Sequence, residues 1–292
     1  MPSSFIGPHG HDFTPVAEAL EPFRDEEIIF LPGPGNAGDG LINLGTYKFL
    51  ERLGIKHRWG SYLESYPGKV VLHCGGGALV SIYPGGENIL RRNADVAKAL
   101  ILLPHTIRSY GDYLQSLGPN CTLFAREAIS HDYLLSHRGK ANIGRAPDMA
   151  FVLSDQDIRA EPWSFDHLWQ PEIRGPWARM VVKFLLRSRK EETLHAMRTD
   201  KESKIYKGGD ADLTGMFSPG NMRRDQCATA IKTIRLITKA YDEVVTDRLH
   251  MSILAAIMGK NVTLIDNSYG KNKSMFEASM RDYFPHMRFC DA

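Results

Sequence analysis

An α/β fold built from two parallel-sheet halves is predicted by three features of the sequence. Short runs of β-branched and aliphatic residues alternate with helical patterns through the first half. Glycine-rich turns follow two of those runs, at Gly33-Pro34-Gly35-Asn36-Ala37-Gly38-Asp39-Gly40 and at Cys74-Gly75-Gly76-Gly77. A strand, turn, helix and strand close the chain: Val244-Val245-Thr246, then Asp247-Arg248-Leu249-His250, an apolar run over 251–258, and Asn261-Val262-Thr263-Leu264-Ile265.

Taken in order, residues 14–25 read as an amphipathic helix ahead of a first strand at 27–31. The glycine-rich turn after it leads into a helical pattern over 41–53, an arrangement that cradles phosphates or brings backbone close to a ligand. A dinucleotide fingerprint also wants an acidic residue roughly 20 residues on. Here that stretch reads His57-Arg58-Trp59-Gly60-Ser61-Tyr62, with Glu64 late, so NAD binding loses weight. A second strand at 69–73 runs into Gly75, Gly76 and Gly77, whose bare backbone suits close approach to a ligand or to another loop. Buried strands are expected at 99–103, ending at Pro104-His105-Thr106, and at 121–125, ending at Arg126-Glu127. Pro147-Asp148-Met149-Ala150-Phe151 closes this half. Residues 154–176 lack a period and are expected to connect the domains, 1–155 and 156–292. An apolar run at 178–186, a polar stretch with Gly208-Gly209, and a helix over 224–241 lead to the closing segment. Its turn sits where a parallel strand hands over to a helix, the edge at which ligands bind in such sheets.

Composition narrows the function. At 292 residues, two domains of about 100 to 200 residues each fit. Hydrophobic residues at 43% and charged residues at 24% are ordinary for a globular chain with a full core. Lys plus Arg number 36 against 34 for Asp plus Glu, and the basic residues are scattered, so no nucleic-acid groove is indicated. The mixed-sign stretch 187–201 reads as a solvated helix face. Cys74, Cys121, Cys227 and Cys290 form no paired motif, which suits a reducing compartment. No leader pattern opens the sequence, and no run approaches the roughly 18 apolar residues of a membrane span. A cytoplasmic protein is expected, with room for peripheral contact at the inner face of a membrane, and a homo-oligomer is compatible. His9, His11 and His73 with Cys74 make no metal set, and no metal is expected.

Gly35-Asn36-Ala37-Gly38-Asp39, Gly45-Thr46, Gly75-Gly76-Gly77, Leu103-Pro104, Arg126-Glu127 with Ser130, Pro147-Asp148, Thr246-Asp247-Arg248-Leu249-His250 and Asn267-Ser268-Tyr269-Gly270-Lys271-Asn272 come in one order across most of the chain. In that order they resemble the polysaccharide pyruvyl transferase family. Ala78 stands where the family commonly has Asn, and His105-Thr106 where it has Gln-Ser; residues 155–220 match nothing. These departures bear on the acceptor more than on the donor. The resemblance implies a GT-B-like fold, two Rossmann-like domains with parallel sheets facing across a cleft. It also implies phosphoenolpyruvate as donor substrate, with no separate cofactor, and transfer to two hydroxyls of one sugar as a cyclic ketal. The acceptor would be a saccharide, free or lipid-linked, of an exopolysaccharide or other surface glycan.

The chemistry then assigns roles. A donor carrying a carboxylate and a phosphate calls for guanidinium forks, and Arg126 and Arg248 are the candidates, one from each domain; the competing reading of Arg248 and His250 is that they cap a helix and pair with a neighbouring carboxylate. His250 is the candidate general acid that protonates the enol carbon. Asp247 orients one of these neighbours or caps the helix that follows. Lys271 adds charge for the phosphate or is a surface lysine. Asn36 and Asp39 bind sugar hydroxyls or hold their own loop, and Gly75, Gly76 and Gly77 admit the acceptor or shape a loop. Competing readings are a GT-B-like glycosyltransferase using a sugar nucleotide, a dehydrogenase using the first glycine-rich turn, and a sugar-binding scaffold without activity.

Overall fold

The protein is described by a computed structural model over residues 4–163, 192–204, 209 and 211–291. The apolar run at 178–186, the expected connection beyond residue 163, Gly208, and residues 187–191 of the mixed-charge stretch lie outside the described residues. Two compact units are distinguished, Met1–Gly33 with Gly45–Val152, and Pro34–Leu44 with Leu153–Ala292. The expected division at 155/156 kept the first glycine-rich turn in the N-terminal half, whereas residues 34–44 group with the second unit.

The first unit is an all-parallel sheet of seven strands. These are β1 (Ile28–Leu31), β2 (His57–Trp59), β3 (Val70–His73), β4 (Gly76–Leu79), β5 (Ala99–Ile107), β6 (Cys121–Ala125) and β7 (Asn142–Arg145). They run in the order β2-β1-β3-β5-β6-β7, with β4 paired to β5. Every residue of β1, β3 and β5 is buried, as their unbroken apolar runs require in a sheet covered on both faces. Ile29, Leu31, Val71, Leu100, Leu102 and Leu123 share one core under the flanking helices. The chain leaves β1 for β2 on one side and takes up β3 on the other. That switch puts the ligand-facing crevice outside the carboxyl ends of β1 and β3, where Gly33 and Cys74-Gly75 lie.

One element departs from the sequence reading. The strand expected to stop before Pro104 continues to Ile107. Pro104 offers no N–H, and the pairing of β5 with β6 is irregular between Leu102 and His105. Beyond that break, β4 takes up the free edge, with Gly76 opposite His105 and Leu79 opposite Ile107. The triple glycine therefore opens a short strand, and Gly76 adopts φ 148°, which favours a residue without a side chain.

The second unit holds a parallel sheet of β8 (Thr193–His195), β9 (Glu243–Thr246), β10 (Asn261–Ile265) and β11 (Met287–Cys290), in the order β11-β10-β9-β8. Residues 155–160, without a clear period in the sequence, form a helix, α6 (Asp155–Ala160), opened by a capping box between Ser154 and Asp157. It packs beside α8 (Arg224–Thr238), with Asp155 bonded to Arg235 and Glu161 to Arg224, each at 2.6 Å. The described part of the mixed-charge stretch is no solvated helix face: residues 193–195 are β8, and Arg198 is buried. Helix α9 (Leu249–Ile257) follows β9. Its Leu249 and all of 251–257 are buried, so His250 is its one incompletely buried residue.

Candidate active site

In the first unit, Arg126 leaves the carboxyl end of β6 and is buried. Its Nε donates to Thr106 Oγ1 at 2.8 Å and its Nη1 to Asp148 Oδ2 at 2.6 Å. Asp148 accepts in addition from the Ala150 N–H, so the carboxylate is itself held. The guanidinium plane is thereby set, and its remaining nitrogen faces Gly77. A Cβ at residue 77 would lie 3.2 Å from Nη2. Arg126 thus has Nε and Nη1 engaged and Nη2 beside bare backbone. Glu127 and Ser130 serve the scaffold: Glu127 caps α5 (Ala128–Ser136) through the Ser130 N–H, and Ser130 Oγ accepts from Ile107 N–H at 2.8 Å.

Two histidines lie beneath the glycines. His105 Nε2 accepts the Ala78 N–H at 2.9 Å, so the proton of the neutral ring sits on Nδ1. Burial, with the Arg126 charge and His73 adding to it, holds the His105 pKa well below the ordinary value. Burial lowers His73 to about 4. Both rings are neutral at physiological pH.

In the second unit, Thr246 Oγ1 ends β9 by accepting the Arg248 N–H at 3.0 Å. Asp247 does not cap α9. Its carboxylate accepts the Arg198 N–H at 2.7 Å and the Ser203 hydroxyl at 2.8 Å, and the cap position is Arg248 without a side-chain bond. Burial raises the Asp247 pKa. Arg248 is grasped from one side by Asp212, on Nε at 2.9 Å and also on Nη2, while Asp200 reaches Nη2 at 2.8 Å. Burial opposes the charge of Asp200, yet Arg198 and Arg248 hold its pKa below the ordinary value. Lys271 is no surface lysine. It is buried and bonds Glu202 at 2.7 Å, and Glu202 also receives Arg198 at 2.8 Å.

The first glycine-rich turn bonds to itself. Asn36 Oδ1 accepts the Gly38 N–H at 2.7 Å, and Asp39 Oδ2 accepts the Asn36 N–H at 3.0 Å. Both side chains hold their loop, the second of the two roles open to them. Their place is at the start of α2 (Ala37–Leu53), beside His250.

The structure thus brings Asp247, Arg248, His250, Lys271, Asn36 and Asp39 into the second unit, and Arg126 with Gly75, Gly76 and Gly77 into the first. Sequence reasoning missed Asp200, Glu202 and Asp212. They fall 36 to 69 residues from Arg248 and Lys271, the predicted cations they meet, in a stretch without periodicity. Charge density over 198–204 was the signal on offer for Asp200 and Glu202.

A model of the family described as polysaccharide pyruvyl transferase matches residues 36–269, well over half the chain. The chain belongs to this family. As a polysaccharide pyruvyl transferase family member it is a transferase, and the family implies a saccharide acceptor. A relative in Bacillus subtilis (strain 168), named "Putative pyruvyl transferase EpsO", is 26% identical over 306 residues, covering 88% of this chain and 86% of its own. A crystal structure of a functionally uncharacterized protein from Klebsiella pneumoniae subsp. pneumoniae NTUH-K2044 superposes with a TM-score of 0.75. It is 25% identical, over 95% of this chain and 98% of that one. No helix among the described residues is long and apolar enough to cross a membrane.

Proposed function

We propose that this pyruvyl transferase uses phosphoenolpyruvate as donor and sets a pyruvyl ketal on two hydroxyls of one sugar in a surface or exported glycan. The observation that carries the reading is the turn after β9. It presents a desolvated guanidinium, Arg248, and two residues later the one incompletely buried residue of an otherwise buried helix, His250. An anion receptor and a proton donor on a single turn suit a doubly anionic enol ester.

The reaction balances with residues of these types. His250 gives a proton to the methylene carbon, which becomes the methyl group, and the neighbouring carbon turns electrophilic. One sugar hydroxyl adds there and gives up its proton, which recharges the imidazole. The C–O bond to phosphate then breaks, the second hydroxyl adds, and its proton leaves with inorganic phosphate. No electrons are gained or lost, so no redox cofactor is needed. Arg248 and Arg126, their charges balanced by Asp212, Asp200 and Asp148, orient the carboxylate and phosphate of the donor through guanidinium N–H groups, with Lys271 held on Glu202 as a further hydrogen-bond donor.

Phosphate release from phosphoenolpyruvate with a panel of saccharides, followed by mass analysis of the sugar, tests this. The expected result is release that depends on both substrates, with a pyruvyl group on the sugar. If a nucleoside diphosphate sugar raises the melting temperature and phosphoenolpyruvate does not, the glycosyltransferase reading takes its place, since only ligands of the folded state stabilise it.

A further inference from the structure

Helix α2 carries glycines at 38, 40 and 45. None of the three has positive φ, so a turn or a left-handed conformation does not explain them. In a helix interior Gly is worse than Ala by roughly 1 kcal/mol. A glycine in a helix without a backbone reason, in its first turn at 38 and 40 and in its interior at 45, is explained by a neighbour too near for a methyl group.

For Gly38 that neighbour is the candidate acid. A Cβ at residue 38 would lie 2.8 Å from His250 Nδ1 and 3.1 Å from His250 Cβ, with Asn36 Oδ1 at 2.9 Å. The first two contacts mean that the His250 side chain, from its Cβ to Nδ1, occupies the space a Cβ at residue 38 would need. The turn that supplies residue 38 has three anchoring bonds of its own. Asn36 closes it through the Gly38 N–H, Asp39 closes it through the Asn36 N–H, and the Ser218 hydroxyl donates to the Gly35 carbonyl at 2.8 Å. The turn and His250 belong to the same compact unit. The Gly38 and Asn36 amides are engaged within the turn.

We infer that Gly38 is a positioning residue for His250: its missing side chain is the seat on which the imidazole rests, and the Asn36–Asp39 turn holds that seat in place. The inference deepens the reading of His250 as the acid and rests on it for its catalytic consequence. The placement itself stands on geometry alone. A ring displaced by the width of a methyl group loses its line to the enol carbon, and misplacement of about 1 Å costs on the order of a hundredfold in rate.

The test compares Gly38→Ala with Gly40→Ala. Residue 40 is in the same helical turn, but a Cβ there meets Pro219 at 2.9 Å and Cys227 at 3.9 Å instead of the imidazole. In Gly38→Ala the ring resonances of His250, followed by NMR, are expected to shift and kcat to fall at least about tenfold, with KM for phosphoenolpyruvate changed far less. Gly40→Ala is expected to leave the His250 resonances in place. A folded Gly38→Ala protein with unmoved His250 resonances and wild-type kcat overturns the inference. The cost in melting temperature of Gly38→Ala is also expected to shrink in a His250→Ala background, because the ring it would strike is gone while the Asn36 contact remains in both. Should Gly38→Ala fail to fold, folding of the double variant supports the seat, and failure of the double variant overturns it. If His250→Ala retains full activity while Gly38→Ala still shifts the His250 resonances, the acid assignment falls and the seat stands.

Discussion

Arg126 and His250 differ in how much the protein has already done to them. Arg126 sits in a pair with Asp148 whose side chains are 1% and 0% exposed. Removing one partner of such a pair costs about 3 to 5 kcal/mol, so an alanine at 126 would report on folding. Arg126→Lys keeps a cation beside Asp148 but cannot also bond Thr106 and present an edge to Gly77. With a charge-assisted bond worth about 1.5 to 3 kcal/mol, KM for phosphoenolpyruvate should rise by roughly tenfold to a hundredfold. Steady-state kinetics check this, and an unaltered KM takes Arg126 out of donor binding. His250 is half-buried, at the partly open edge of its helix. His250→Ala should lower kcat by at least about a hundredfold with the melting curve preserved; a near wild-type rate would remove it from the mechanism.

At the level of elements, α2 shows how packing overrides propensity. Gly45 lies against the turn that closes the first unit, and a methyl group at 45 would overlap the Met149 carbonyl oxygen. Helix propensity alone would make Gly45→Ala stabilising by roughly 1 kcal/mol. Overpacking against fixed backbone costs about 1 to 3 kcal/mol or more, and backbone yields less readily than a side chain. The net effect expected is a loss of stability, read as a lower urea midpoint; a raised midpoint would show that the two segments can part without cost. The Gly45-Thr46 piece of the family pattern is therefore explained by close approach. The Arg126-Glu127-Ser130 piece is explained by a buried cation locked to Asp148, followed by a helix cap. Motif residues of both kinds look alike in a linear chain, because a cap and a ligand use the same polar side chains.

Over the whole molecule, the buried neutral histidines give the stability an acid limb. His73 has an ordinary value of 6.5 and a folded value of about 4. Between those pH values the unfolded chain binds a proton that the folded chain refuses, so stability rises with pH there and is lost as pH falls from about 6.5 toward 4. For His73 the full loss is on the order of 3 kcal/mol. His105 acts in the same direction. Asp155 and Asp200, lowered by their arginine partners, lose their contributions only below the ordinary carboxylate range. Urea unfolding at pH 7 and pH 5 should therefore show a smaller loss for His73→Leu than for the unaltered protein; equal losses would acquit His73. By itself the sequence determined the parallel α/β class, the buried strands, the glycine-rich turns and the Asp-Arg-Leu-His segment. Those follow from local periodicity and turn chemistry, which neighbouring residues express without help. Tertiary structure alone decided that Asp212 and Asp200 hold Arg248, that Asp148 holds Arg126, and that the first glycine turn belongs to the unit carrying His250. Charge pairing and close packing act through space, and no pattern along the chain records which distant side chain will arrive.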